Sequence, residues 1–472
     1  MKIPDLIQGT MRGWAQLGPR FLPFADAASA ELPLLRLLRL SLFQVSVGMA
    51  LVLLVGTLNR VMIVELGVPA SLVAIMISLP VLFAPMRALV GFKSDNHRSA
   101  LGWRRVPYIW KGTMVQFGGL AIMPFALLVL SGGGNAQQWP VWIGHAGAGM
   151  AFLLVGAGLH ITQTAGLALA TDLAPPEAQP KVVGLMYVAQ LVGMIASALA
   201  FGALLEDFSP ARLIQVIQGA AVVTIALNLL ALWKQETRQR GMLNTPRREE
   251  PSFKAAWQLF LRGAHARRRL VAVGLGTMGF GMQDVLLEPY GGQVLGMGVG
   301  ATTQLTATLA VGGLMGFALA SRVLSRGADP FRMASMGALF GVPAFMAVIA
   351  AAPLQTPALF GLGVWMIGIG GGLFAHGTLT ATMNLAPPQQ AGLALGAWGA
   401  VQATAAGVAV ALGGVMRDVL AGFGHSASHA SHALVSPASA YTAVYSLEIL
   451  LLLATVVAMA PLLRRQAQPV PT

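Results

Sequence analysis

The stretch Gly91 to Arg105, GFKSDNHRSALGWRR, decides how the chain is laid out. Apolar runs flank it, from about residue 69 to 92 and from about 106 to 130. Each is long enough for a helix across the hydrocarbon core of a bilayer, which takes about 20 residues. Lys93, Arg98, Arg104 and Arg105 crowd the interruption, with Asp95 as its one acid. Basic loops resist translocation, so this loop is expected on the cytoplasmic face, and its placement fixes the sidedness of every other span.

Composition agrees with a lipid-embedded chain. Of 472 residues, 56% are hydrophobic and 10% charged, with a mean hydropathy of +0.70. Soluble domains carry about a quarter charged residues. With no cysteine there is no disulfide framework, thiolate site or zinc–cysteine site. The net charge of +13 lies in the connections between apolar runs, where topogenic lysines and arginines belong, so it does not point to nucleic acid. Residues 1–39, broken by Pro4, Pro19 and Pro23, lack a signal-peptide pattern and read as a cytoplasmic segment along the membrane surface.

Working outward gives twelve spans: 40–62, 69–92, 106–130, 141–170, 181–205, 211–233, 270–290, 300–323, 331–352, 357–383, 389–416 and 440–463. This layout puts 25 of the 30 basic residues on the side of the Gly91–Arg105 loop and three, Arg60, Arg212 and Arg417, on the other. Both termini then lie in the cytoplasm. Ala170–Pro176 (ATDLAPP) recurs as Thr382–Pro388 (TMNLAPP), displaced by 212 residues, and Gly184 and Gly396 keep that offset. The basic loop from Ser321, SRVLSRGADPFR, is the counterpart of the 91–105 loop. The expected organisation is two six-helix halves, 40–233 and 270–463, joined by a cytoplasmic linker at 234–269 and followed by a tail at 464–472. This is an all-α, polytopic membrane protein on the major facilitator plan, and Gly91-x-x-x-Asp95 followed by a basic cluster resembles that superfamily's loop between helices 2 and 3. The 56 glycines allow close helix crossings in lipid.

Polar groups within spans need a partner or a purpose. Arg87 and Lys111 lie within two turns of the cytoplasmic surface, and the simplest reading is that both snorkel to it. Asp95, Asp172, Arg104 and Arg105 sit at cytoplasmic span ends and form a candidate structural charge cluster. Asp284 and Glu288, spaced i, i+4 in the seventh span, are candidate coupling acids near the opposite surface; Pro289, Gly291 and Gly292 are expected to end that helix and leave Glu288 solvated. His145, His160 and His376 fall within spans. A neutral imidazole is a good axial ligand for a chlorin magnesium, although a hydrogen bond to a neighbouring helix is the commoner use. His160 stands out because Thr162, Gln163 and Thr164 make its surroundings polar, with Gly156 and Gly158 expected to leave space beside the ring. His425, His429 and His432 lie in a serine- and alanine-rich loop that needs no metal. No phosphate-binding loop, nucleophile elbow or HExxH motif is present, so catalysis has no visible apparatus and no catalytic residue is assigned.

Four stretches carry a closer resemblance: Leu32–Leu66, Gly91–Gly119, His160–Pro176 and Met282–Gly292 (MQDVLLEPYGG). Together they are similar to the bacteriochlorophyll delivery family of the major facilitator superfamily. The resemblance implies a light-harvesting assembly factor of a bacterial inner, photosynthetic membrane that hands bacteriochlorophyll to newly inserted antenna polypeptides, with the core antenna slightly favoured over the peripheral one. It implies bacteriochlorophyll as cofactor, with carotenoid or lipid as other candidate ligands, and His160, His145, His376 and Gln163 as the pigment-site candidates. Antenna polypeptides, the reaction centre, pigment-synthesis or protein-insertion machinery and membrane lipids are the implied partners, with no nucleic acid. The competing reading is a secondary transporter of a small solute or pigment precursor.

Overall fold

The computed structural model describes residues 32–80, 87, 90, 94, 97, 102–132, 135, 138–175, 178–237, 266–384, 391–426 and 437–464. The described chain is helical: α1 Leu34–Glu65, α2 Ala70–Ser78, α3 Val106–Leu130, α4 Val141–Asp172, α5 Gln179–Leu204, α6 Pro210–Leu232, α7 Ala266–Gln293, α8 Val299–Leu324, α9 Pro330–Leu354, α10 Pro357–Asn384, α11 Ala391–Ser426 and α12 Pro437–Arg464. All but α2 are long and apolar enough to cross a membrane. The expected second span is helical over Ala70–Ser78, and most of its remainder lies outside the described residues.

Two boundaries differ instructively from the sequence reading. The first helix begins at Leu34, not at residue 40, because Leu34, Leu35, Leu37 and Leu38 continue its apolar run and Arg36 is held in place. The Arg36 guanidinium donates to the carbonyl and side-chain oxygens of Gln235, at 2.6 and 3.2 Å. The seventh helix does not end at Pro289. It breaks earlier, between Gly279 and Leu286, passes through a 3₁₀ turn at Met282–Val285 and resumes at Leu287–Gln293. Pro289 sits in the first turn of the resumed helix, where its missing N–H has no intrahelical acceptor to lose.

The 212-residue repeat is visible in the elements themselves: α4 ends at Asp172 and α10 at Asn384. The chain divides into two compact units. The first comprises 1–51, 85–197 and 214–246; the second comprises 52–84, 198–213 and 247–472. In the first, Leu37, Leu40, Phe43, Ile109, Leu169, Leu185 and Met186 form the core. There α3 and α4 cross on glycine, since a Cβ at Gly112 would stand 2.8 Å from the Gly158 carbonyl oxygen and 2.5 Å from Thr162 Oγ1. The Gly158 side of this crossing is filled by Gln116 N and Gly112 O, so Gly158 leaves no space beside His160; it is consumed by helix packing.

In the second unit an aromatic cluster seats the broken helix. The Tyr290 ring lies 5.2–5.7 Å from Phe360, Tyr441 and Tyr445, and its hydroxyl donates to Val348 O at 3.1 Å. The second half of α1 is wound in wide π turns, Val52–Leu58 and Val61–Glu65. Two of the three basic residues expected on the sparsely charged side are each neutralised here: Arg60 pairs with Glu65, and Arg417 with Asp418 at 2.8 Å.

Candidate functional site

The charge cluster at the basic-loop end of the first unit is built on the start of α3. Asp172, the last residue of α4, accepts from Arg104 Nη2 at 2.6 Å and from Arg105 Nε at 2.9 Å. Arg105 is 4% exposed, and its Nη1 donates to the Ser94 hydroxyl at 2.6 Å. Three of the four residues grouped from sequence are therefore together; Asp95 lies outside the described residues. Sequence reasoning missed Glu236, whose carboxylate accepts the backbone N–H groups of Arg104 at 2.6 Å, Arg105 at 3.1 Å and Val106 at 2.9 Å. A carboxylate on the free N–H groups of a helix start answers both the unpaired donors and the helix dipole. Its only sequence signal is an acid just past α6 at the start of a predominantly basic stretch.

Deeper in the same unit, Arg87 does not snorkel. Its Nη2 donates to Gln163 Oε1 at 2.9 Å and its Nε to Thr164 Oγ1 at 3.3 Å. Gln163 Nε2 in turn donates to Gln190 Oε1 at 2.9 Å and Gln44 Oε1 at 3.3 Å. Gln163 is thus committed to a side-chain relay and is not a spare pigment ligand. A local depth argument could place Arg87 near a surface but could not see that α4 offers it two acceptors. Lys111, by contrast, is exposed, its Nζ lying 5.8 Å from the centre of the Tyr108 ring.

His160 lies one turn before Gln163 on α4 and twelve residues before the helix end, about 18 Å at 1.5 Å per residue. Its ring is partly covered, and its buried Nδ1 has no hydrogen-bond partner among the described residues. The commoner fate of an in-span histidine, a bond to a neighbouring helix, is not met there. His145 is on the same helix fifteen residues away, about 22 Å, so the two imidazoles cannot serve one ring. His376 belongs to the second unit, 8% exposed, with its ring 4.2 Å from that of Phe317. His425 lies in the last turn of α11, whereas His429 and His432 are outside the described residues.

The second unit gathers acids around the break in α7. Glu288 is 4% exposed and accepts from the Thr306 hydroxyl, so it is buried rather than solvated; the helix resumes beneath it instead of ending. Asp284 accepts from the Gln283 amide. Glu448 of α12, fully buried and unremarked from sequence, accepts Gln283 N–H at 2.8 Å. Among the described residues, no three of these groups converge as metal ligands do.

The family model described as PUCC protein matches residues 57–467, and with them most of both units. The chain belongs to the PUCC family. It is 68% identical over 408 residues to Protein PucC of Rhodovulum sulfidophilum, covering 86% of this chain and 90% of that one. It is 60% identical to Protein PucC of Cereibacter sphaeroides, covering 95% and 96%. A more distant relative, 27% identical over 82% of this chain and 88% of its own length, is the "Bacteriochlorophyll synthase 44.5 kDa chain" of Rhodobacter capsulatus. Among solved structures, a bacterial homologue of the human lysosomal transporter Spinster superposes with a TM-score of 0.64 at 15% identity, covering 92% of this chain and 98% of that one. That likeness shows the fold: this PUCC-family chain is an all-α, multi-pass membrane protein with the major facilitator architecture.

Proposed function

We propose that this PUCC-family protein is a non-enzymatic assembly factor for light-harvesting complexes, binding bacteriochlorophyll in the bilayer and passing it to newly inserted antenna polypeptides. The match to the family over residues 57–467 carries the reading, and the pigment-related name of the distant relative supports it. The basic-residue asymmetry supports a bacterial inner-membrane placement with both termini cytoplasmic.

Within the first unit the residues fit the pigment at one point. A chlorin magnesium takes an axial ligand from a neutral imidazole, and His160 has a buried ring nitrogen without a protein partner. His160 would hold the metal, and Thr162 and Gln163 polarise its surroundings. The buried carboxyls Glu288 and Glu448 favour a second reading, a carrier whose coupling acids lie in the second unit.

Deleting the gene in its phototrophic host and recording membrane absorption separates the two. The antenna bands are expected to fall strongly while reaction-centre protein is still made, and re-expression of the wild-type chain restores them. The sequence-based lean to the core antenna predicts the larger fall in the core complex. Unchanged antenna bands in the deletion strain would overturn the assembly role and leave the carrier reading.

A further inference from the structure

Arg87 is a cation inside a span whose described neighbours are all neutral. The first unit has two acids among its described residues, and both are committed elsewhere: Asp172 to Arg104 and Arg105, and Glu236 to the start of α3. A partly buried guanidinium within an apolar span, with no counter-charge among the described residues, is disfavoured, so its surroundings need explaining.

The polarity of the relay follows from Arg87 alone. A guanidinium can only donate, so Gln163 must turn its oxygen to Arg87 and its amide nitrogen to Gln44 and Gln190. Gln44 and Gln190 must then present oxygens to Gln163, which turns their own amide nitrogens away. The buried Gln44 Nε2 accordingly has no acceptor among the described residues. His160 Nδ1, on the same face of α4 as Gln163 and Thr164, is also without a hydrogen-bond partner among the described residues. Among the described residues, the interior of this unit thus offers a cation and an unused N–H donor, and no acceptor bearing negative charge stands beside them.

We propose that Arg87 and its glutamine relay form a receiving site for the anionic oxygens, carboxylate or phosphate, of an amphipathic ligand whose apolar body lies along the His160 face of α4. The ligand supplies the counter-charge that the described residues withhold. A charge-assisted contact of this kind is worth about tenfold to a hundredfold in affinity.

The test uses the full chain in phosphatidylcholine nanodiscs. The probes are a zinc chlorin with a free propionic acid, its methyl ester, and short-chain phosphatidylglycerol. The choice of chlorins rests on the assembly reading; the phosphatidylglycerol arm does not. The wild type is expected to bind the acid about tenfold or more tighter than the ester. Arg87→Gln should abolish that preference, with a monodisperse size-exclusion profile reporting an intact fold. Gln163→Glu, which gives Arg87 a carboxylate from the protein itself, should do the same. If neither chlorin binds but phosphatidylglycerol binds in an Arg87-dependent way, the anion site stands with a lipid headgroup as its ligand, and the pigment reading falls. If acid and ester bind the wild type equally and phosphatidylglycerol binding survives Arg87→Gln, the proposal is wrong.

Discussion

Gly158→Leu is expected to break the α3–α4 pair of the first unit, whereas Gly118→Leu on α3 leaves it standing. A Cβ at Gly158 comes within contact distance of Gln116 N and Gly112 O, and backbone atoms cannot swing away as a side-chain end can. Separating the helices would also undo the reciprocal approach of Gly112 to the Gly158 carbonyl oxygen. Overpacking of this kind costs about 3 kcal/mol or more when backbone must shift. Gly118 has no atom within 4 Å of an added Cβ, so it serves as the matched control on a crossing helix. Thermal melting in detergent, followed by size-exclusion profile, reads the difference. Equal melting of the two variants would mean that the crossing is looser than its glycines require.

The second large effect is expected at Asp172. Asp172→Ala removes the acceptor of two arginines at once, and Arg105, with 5% of its side chain exposed, cannot turn to water for compensation. Asp172 itself is 30% exposed, which moderates the loss below that of a fully buried pair, to about 2 kcal/mol. Glu236→Ala leaves three backbone donors at and just before the start of α3 without their acceptor and is expected to cost about 1–2 kcal/mol. The double variant should lose less than the sum, because both acids act through Arg104 and Arg105. Denaturant titration of the three proteins measures this. Wild-type stability in Asp172→Ala would remove the cluster from the forces holding this end of the unit together. The repeat carries Asn384 where the first half has Asp172, so an intact second half cannot supply the missing charge.

Eleven of the twelve spans were legible because hydropathy over about 20 residues is a local property, and the offset of 212 between the ends of α4 and α10 follows from the LAPP repeat. What the sequence concealed was pairing over long separations. Glu236 reaches Arg104 across 132 positions, and Arg87 reaches Gln163 across 76, distances no periodicity reports. Two local signals were misleading for the same reason. Gly158 reads equally as room for a ligand or as a helix crossing, and only the position of α3 decides for the crossing. Pro289 reads as a helix end, yet the break falls seven or more residues earlier at Gly279–Met282, where glycines and the buried Glu448 contact permit it. The polar neighbours of His160 were legible as residue types, but Arg87 beside Gln163 changes what those neighbours do.

The most direct test of the central claim is the near-infrared absorption of the full-length protein purified from pigment-producing membranes in mild detergent, set against its own protein concentration. Bacteriochlorophyll bands should accompany the wild type, and His160→Leu should carry less than about half the pigment per protein while melting normally, since a ligand bond to a metal is lost without a change in packing volume. A wild-type protein that is monodisperse and devoid of pigment bands would contradict the claim that this chain handles bacteriochlorophyll in the membrane.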